Sequence, residues 1–434
     1  MRNLIVTLCC IIFLGNALAS NSMRESYTLK NGLKVILVKR SNIAHLYAGL
    51  YINSGYAMNK SSNVEAAHFT EHFQGMRIIK SNNVKSGKIR MVRISVQEMM
   101  TRYLLSSSRE GLGTMLQVLS SAFKPMLISK SEINHEIKLI QLEKRLLKYR
   151  KPVRQTNPYY RYYKLSKKAR KGILLYDPFQ SFSHMTNQKV MQWHMANYIP
   201  NNAVLIIMGD FNFSSVKKEI NHYFSLFQKG IMPKPKIRYA HKLNFGFKLY
   251  TAVSASGSNI ISLDLALPKP FNKKKINYKL AAINLLMRCF VDPDIRFGFL
   301  FIEVSHPSVF TYIKTKKVPD ISSIMRFIEK VKSSLMQISD NELKVIKNNI
   351  IKNWHLTQDD PDRYFKYIGF LENNKLTQKE MKNILDEMKY VTVGDIRANT
   401  KKYYLKKNII AVVLQSKKNN IYIKKSRLSH FNIG

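Results

Sequence analysis

A pattern near residue 198 recurs near residue 404, and it constrains the fold more than any other feature of the chain. Tyr198 is followed four residues later by Asn202 and then by the apolar run Ala203 to Met208; Tyr404 is followed at the same spacing by Asn408 and the run Ile409 to Leu414. A helical segment precedes each copy. Self-similarity of this kind marks a duplicated unit. The expected fold is therefore α+β: two related α/β halves, each a mostly antiparallel sheet covered by helices, joined by a linker. A chain of 434 residues is ample for two cores. Gln228-Lys-Gly-Ile-Met-Pro-Lys-Pro carries the glycine and prolines of a connecting segment. The expected organisation is a leader over 1–19, a first domain over 20–227, a linker over 228–244, a second domain over 245–416 and a basic tail over 417–434.

The leader reading rests on Met1-Arg2-Asn3, the apolar core Leu4 to Leu14, and Ala17-Leu18-Ala19, a small-x-small cleavage site. Its core is too short for a comfortable membrane span, and no later run of about 18 apolar residues follows. This predicts export by the Sec route, with a periplasmic or secreted mature protein. Cys9 and Cys10 leave with the leader, so Cys289 remains alone and no internal disulfide can form.

The chemistry is concentrated in His68-Phe69-Thr70-Glu71-His72. On a helix these three polar residues share one face. Two imidazoles one turn apart can grip zinc, and the carboxylate between them can take a proton from a water on the metal. A catalytic zinc usually has three protein ligands. A candidate third comes from residues 129–150, where Ser129 and Glu132 have capping-box spacing and Glu136 and Glu143 lie two turns apart on one face. Read alone, those two acids equally fit a solvated helix pairing with Lys144 and Arg145. His135 points away from that face, and His184, Trp193 and His194 read as packing residues.

Together the inverted His-x-x-Glu-His motif, the Glu136-x6-Glu143 helix and the Tyr198-to-Asp210 closing segment resemble the pitrilysin/insulinase family of zinc metallopeptidases, in its shorter, processing-peptidase-like branch. The match in pattern runs from about residue 26 to 416. The resemblance implies one zinc per chain, held by His68, His72 and Glu143. It makes Glu71 the general base and Glu136 the carboxylate that orients a ligand histidine. The implied substrate is a peptide or unfolded polypeptide.

Two stretches depart from the family. In the second half an arginine and tyrosine should follow a Gly-rich loop; here Arg288 and Arg296 are the candidates, the loop is missing and Glu303 stands where tyrosine should be. Residues 90–107, which begin as a strand, lack the Asn-Ala pair of the family's substrate-binding edge. These departures imply a zinc-bearing subunit that works in a hetero-dimer with a related chain, or in a homodimer. A non-catalytic peptidase-like scaffold is the alternative that they favour.

The formal charge of +44 is spread along the chain, densest over Lys148 to Lys171. Basic and aromatic residues interleave there, a pattern compatible with phosphate and base contacts. In an exported protein nucleic acid is not the expected partner. An anionic membrane surface or an acidic polypeptide suits the charge better.

Overall fold

The computed structural model describes residues 23–41, 43–55, 65–81, 84, 86–97, 100–150, 185–233, 247–254, 259–268, 270–272, 275–291, 308–373 and 376–416. The predicted leader, the basic segment 151–171, most of the predicted linker, Arg296, His184 and the tail lie outside them.

The first half opens with β1 (Met23–Thr28) and β2 (Lys34–Lys39), antiparallel about Asn31-Gly32, a dipeptide that by itself signals a hairpin turn. Gly32 has φ +85°, which only glycine adopts without strain. Asn31 pins the turn by donating to the carbonyls of Phe224 at 2.7 Å and Phe227 at 3.0 Å. Then come β3 (Leu46–Ile52), α1 (Ala66–Ile79), β4 (Ile89–Val96), β5 (Thr101–Ser107), α2 (Leu112–Ser120), α3 (Lys130–Arg150), α4 (Asn187–Asn197), β6 (Ala203–Gly209) and α5 (Phe213–Phe224). The stretch from residue 90 to 107 is thus a hairpin, β4 and β5, turned by the bond from Gln97 N to Met100 O at 2.7 Å. The six strands lie in the order β1-β2-β6-β3-β5-β4, and only the β2/β6 pair is parallel.

Alternation along these strands feeds two cores, as period-two geometry requires of a sheet covered on both faces. Leu33, Val35, Leu37, Leu46, Ala48, Leu50, Leu205 and Ile207 pack beneath α2 and α5. Ile36, Val38, Tyr47, Tyr51, Val204, Ile206 and Met208 face the other way, into a cluster filled largely by the second half.

That half contains β7 (Lys248–Ser254), β8 (Asn259–Ala266), a short hairpin of β9 (Phe271–Asn272) and β10 (Lys275–Ile276), α6 (Tyr278–Val291), β11 (Ser308–Thr315), α7 (Ile321–Met336), α8 (Asp340–Asp359), α9 (Pro361–Asn373), α10 (Gln378–Tyr390), α11 (Val393–Tyr403) and β12 (Ile409–Ser416). Its sheet order is β11-β8-β12-β7, with β12 parallel to β7 and antiparallel to β8. That order repeats β5-β3-β6-β2 strand for strand and direction for direction. The duplicated sequence pattern closes each half identically. Asn202 donates from Nδ2 to the Asn197 carbonyl at 2.9 Å, and Asn408 donates to that of Tyr403 at 2.9 Å.

Helix α9 joins the halves. Phe365 and Ile368 belong to the cluster that takes Tyr47 and Tyr51, and the Tyr51 ring lies directly against Gly369. At the rim Glu372 receives Arg24 at 2.9 Å and Lys34, while the Arg40 guanidinium lies 5.2 Å from the ring centre of Tyr364.

Candidate metal centre

Helices α1, α3 and α4 share an apolar cluster that contains Phe69, Phe73, Ile133, Ile140 and Val190. Packing these residues fixes the faces the helices turn toward one another. Ile133, Glu136 and Ile140 form the buried stripe of α3, so Glu136 is carried inward with its apolar neighbours. Ser129 and Glu132 start that helix with the predicted reciprocal box: Glu132 N donates to Ser129 Oγ at 3.2 Å and Ser129 N to Glu132 Oε2 at 2.8 Å. Glu143 lies in α3, and its side chain is outside the described residues.

On α1 the ligand atoms of His68, Glu71 and His72 all lie within 4.8 Å of one another. Both imidazoles turn Nε2 toward a single oxygen: Glu71 Oε2 is 4.0 Å from His68 Nε2 and 3.8 Å from His72 Nε2. Each Nδ1 faces the other way, toward a buried carboxylate. His72 Nδ1 donates to Glu136 Oε1 at 2.6 Å, and His68 Nδ1 lies 3.5 Å from Glu65 Oε2. A proton held on Nδ1 leaves the Nε2 lone pair to the space in front of Glu71. Two imidazole nitrogens converging beside a carboxylate are a zinc-type donor set, and the residues present fit that metal.

Beneath the site is a polar floor. Tyr103 and Tyr198 share a hydroxyl contact of 2.7 Å, Thr101 donates to the Ser54 carbonyl at 2.8 Å, and Ser54 donates to Asn197 Oδ1 at 2.9 Å. Burial, reinforced by Tyr198 and Glu71, pushes the Tyr103 hydroxyl well above its ordinary pKa, so it stays protonated. His194 stacks on Tyr198 and bonds through Nε2 to the Ala122 carbonyl at 2.9 Å. At the far end of α1, Arg77 donates to the carbonyls of Ser121 at 2.9 Å and Pro125 at 3.0 Å, tying the helix to the segment that leads into α3.

The structure therefore brings together four of the expected residues, His68, Glu71, His72 and Glu136. Arg288 lies in α6, where its backbone alone is described, and Arg296 lies outside the described residues. His135 is exposed and His194 and Trp193 pack, as the sequence implied. Glu65 and Arg77 escaped the sequence reading. An acid three residues before His68 is a usable signal for the first; nothing local signals the second. Strand β4 forms an edge of the sheet and runs beside α1, with Arg90 and Arg93 exposed. Among the described residues no helix is long and apolar enough to cross a membrane.

With this geometry in hand, comparisons locate the chain among known proteins. The family profile described as the peptidase M16 inactive domain matches residues 184–286. The zinc protease PqqE of Helicobacter pylori is 22% identical over 235 residues, which cover 49% of this chain and 50% of that protein. The matched region thus spans about half the length of the curated relative. A protease structure from Helicobacter pylori superposes with TM-score 0.70 at 17% identity, covering 91% of this chain and 100% of that one. The first half of the periplasmic protease PqqL from Escherichia coli gives TM-score 0.61 at 14% identity, covering 91% and 92%. Against the intact PqqL, 48% of that chain is covered.

Proposed function

We propose that this chain, which resembles the pitrilysin-like M16 peptidases in fold and sequence pattern, is a periplasmic or secreted zinc metalloendopeptidase that hydrolyses peptides or unfolded polypeptides. The observation that carries the reading is the convergence of both Nε2 atoms on Glu71, with His72 held from behind by Glu136. The leader pattern expected over residues 1–19 and the description of PqqL as periplasmic support the location.

His68, His72 and Glu143 would hold one zinc ion. When bound, zinc supplies a Lewis acid that polarises the scissile carbonyl and acidifies water. Glu71 Oε2, lying between the two imidazoles, receives the proton of the attacking water and returns it to the leaving amine. Glu136 keeps the His72 ring from turning, which preserves the Nε2 lone pair on the reacting side. Among the described residues the outer edge of β4 has no neighbouring strand, so an extended peptide can align along it, and Arg90 and Arg93 suit acidic side chains there. The match to one half of PqqL supports a dimer in which a second, related chain closes the site.

The test combines metal analysis with turnover. The chain from residue 20 onward is assayed for zinc and for cleavage of an unfolded polypeptide, alone and with candidate partner chains. Glu71→Gln should abolish cleavage and keep about one zinc; Glu143→Ala should lose the metal. Zinc-dependent cleavage that survives Glu71→Gln refutes the assignment.

A scaffold without catalysis is the second reading, favoured by the altered second half and by the description of the matching profile. That profile begins at residue 184, beyond α1 and α3, so its description concerns a stretch outside the candidate centre. An intact zinc site with no turnover under any partner would support the scaffold.

A further inference from the structure

We propose that Glu65 is a positioning residue for the metal centre, the counterpart of Glu136, fixing His68 as Glu136 fixes His72. The inference rests on the zinc reading above and extends it to a residue outside the expected constellation.

Glu65 is the residue before α1, and its side chain is 0% exposed. A carboxylate removed from water at that depth is costly unless something nearby repays the lost hydration. Helix starts often recruit an acid to cap the first amides, yet the Glu65 side chain makes no capping bond. Its Oε2 lies instead 3.5 Å from His68 Nδ1, against 2.6 Å between Glu136 Oε1 and His72 Nδ1. The two carboxylates come from different places: Glu65 precedes the helix and Glu136 sits on α3. They nevertheless do the same geometric job, each addressing the Nδ1 of one histidine while both Nε2 atoms face Glu71.

The helical wheel explains the placement. Glu65, His68 and His72 fall within one narrow sector of α1, so an acid at position 65 reaches the outer edge of the first imidazole without displacing anything else. The 3.5 Å separation is longer than a hydrogen bond, so the proposed role requires the ring to turn slightly for the contact to close. Carboxylate partners of this type hold the histidine tautomer and raise ligand basicity. Residues 71 and 72 alone cannot supply this for His68, because their side chains lie on its Nε2 side or beside it.

Zinc affinity separates this role from a merely structural one. Wild type, Glu65→Gln, Glu65→Asp and Glu136→Gln are titrated in competition with a chelator, and cobalt-loaded samples are compared by visible absorption. The expected result for Glu65→Gln is an affinity loss of about 10- to 100-fold, similar to that of Glu136→Gln, with an altered cobalt spectrum. The metal-free protein should unfold at the same temperature or higher, since a buried charge has been removed. Glu65→Asp, which keeps the acid but shortens its reach, should lie between wild type and Glu65→Gln. If Glu65→Gln fails to fold, the aspartate variant decides: wild-type affinity and spectrum overturn the proposal. Unchanged affinity in Glu65→Gln, with a clear loss in Glu136→Gln, also overturns it and leaves the zinc reading standing. No zinc binding by the wild type overturns both.

Discussion

Acid should loosen the wall behind the candidate metal centre through one residue, His194. Its imidazole is buried, and burial holds its pKa down to about 4, against 6.5 for the free side chain; Arg77 lowers it further, while the bond to Ala122 opposes the shift. At pH 7.5 the ring is neutral whether the chain is folded or unfolded. As pH falls below 6.5 the unfolded chain gains a proton that the folded chain refuses, so stability rises with pH between about 4 and 6.5 and is lost on acidification through that window. From pH 7.5 to 4.5 the two values correspond to a loss of about 2–3 kcal/mol from this residue alone. His194→Gln keeps an amide donor for the Ala122 carbonyl but cannot titrate. Urea unfolding followed by circular dichroism at both pH values gives the comparison. The wild type should lose about 2–3 kcal/mol more than the variant, whatever the variant's starting stability. Equal losses, or a His194 ring resonance that titrates near 6.5, would refute the reasoning.

Two further perturbations probe the fold that carries the site. Gly369→Ala places a methyl group into the Tyr51 ring at the contact between the halves; despite the better helix propensity of alanine, thermal unfolding should reveal a net loss of about 1–3 kcal/mol from overpacking. Asn202→Ala and Asn408→Ala each remove the same buried bond from the two copies of the repeat, at 2.9 Å in both. Each should cost about 1–3 kcal/mol by denaturant titration, and a large effect in one copy with none in the other would show that the copies have ceased to be equivalent.

Features set by local chemistry were legible in the sequence. The Asn31-Gly32 turn, the Ser129 to Glu132 box, the α1 motif and the Tyr-to-strand repeat all depend on residues within a few positions of each other, and the structure has each of them. The pairing of Glu136 with His72 was accessible only through family resemblance, since the two are brought together by the packing of α1 on α3. Arg77 illustrates what no local pattern contains: its partners, the carbonyls of Ser121 and Pro125, are backbone atoms of a distant turn. Glu65 is an intermediate case. Its spacing from His68 was in plain view, but an acid before a helix is so common that only its burial distinguishes it.

The apolar cluster that contains Tyr51 and Phe365 has a mechanical consequence. It draws side chains from both sheets and from the helices between them, so it has no internal seam along which the halves can part without exposing a broad greasy surface. The chain should melt as one cooperative body, and either half produced alone should be sticky. Under the proposed function, a breathing motion that admits and releases a polypeptide would then take place where this body meets a second subunit, with the neighbour as the hinge and this chain as the fixed jaw.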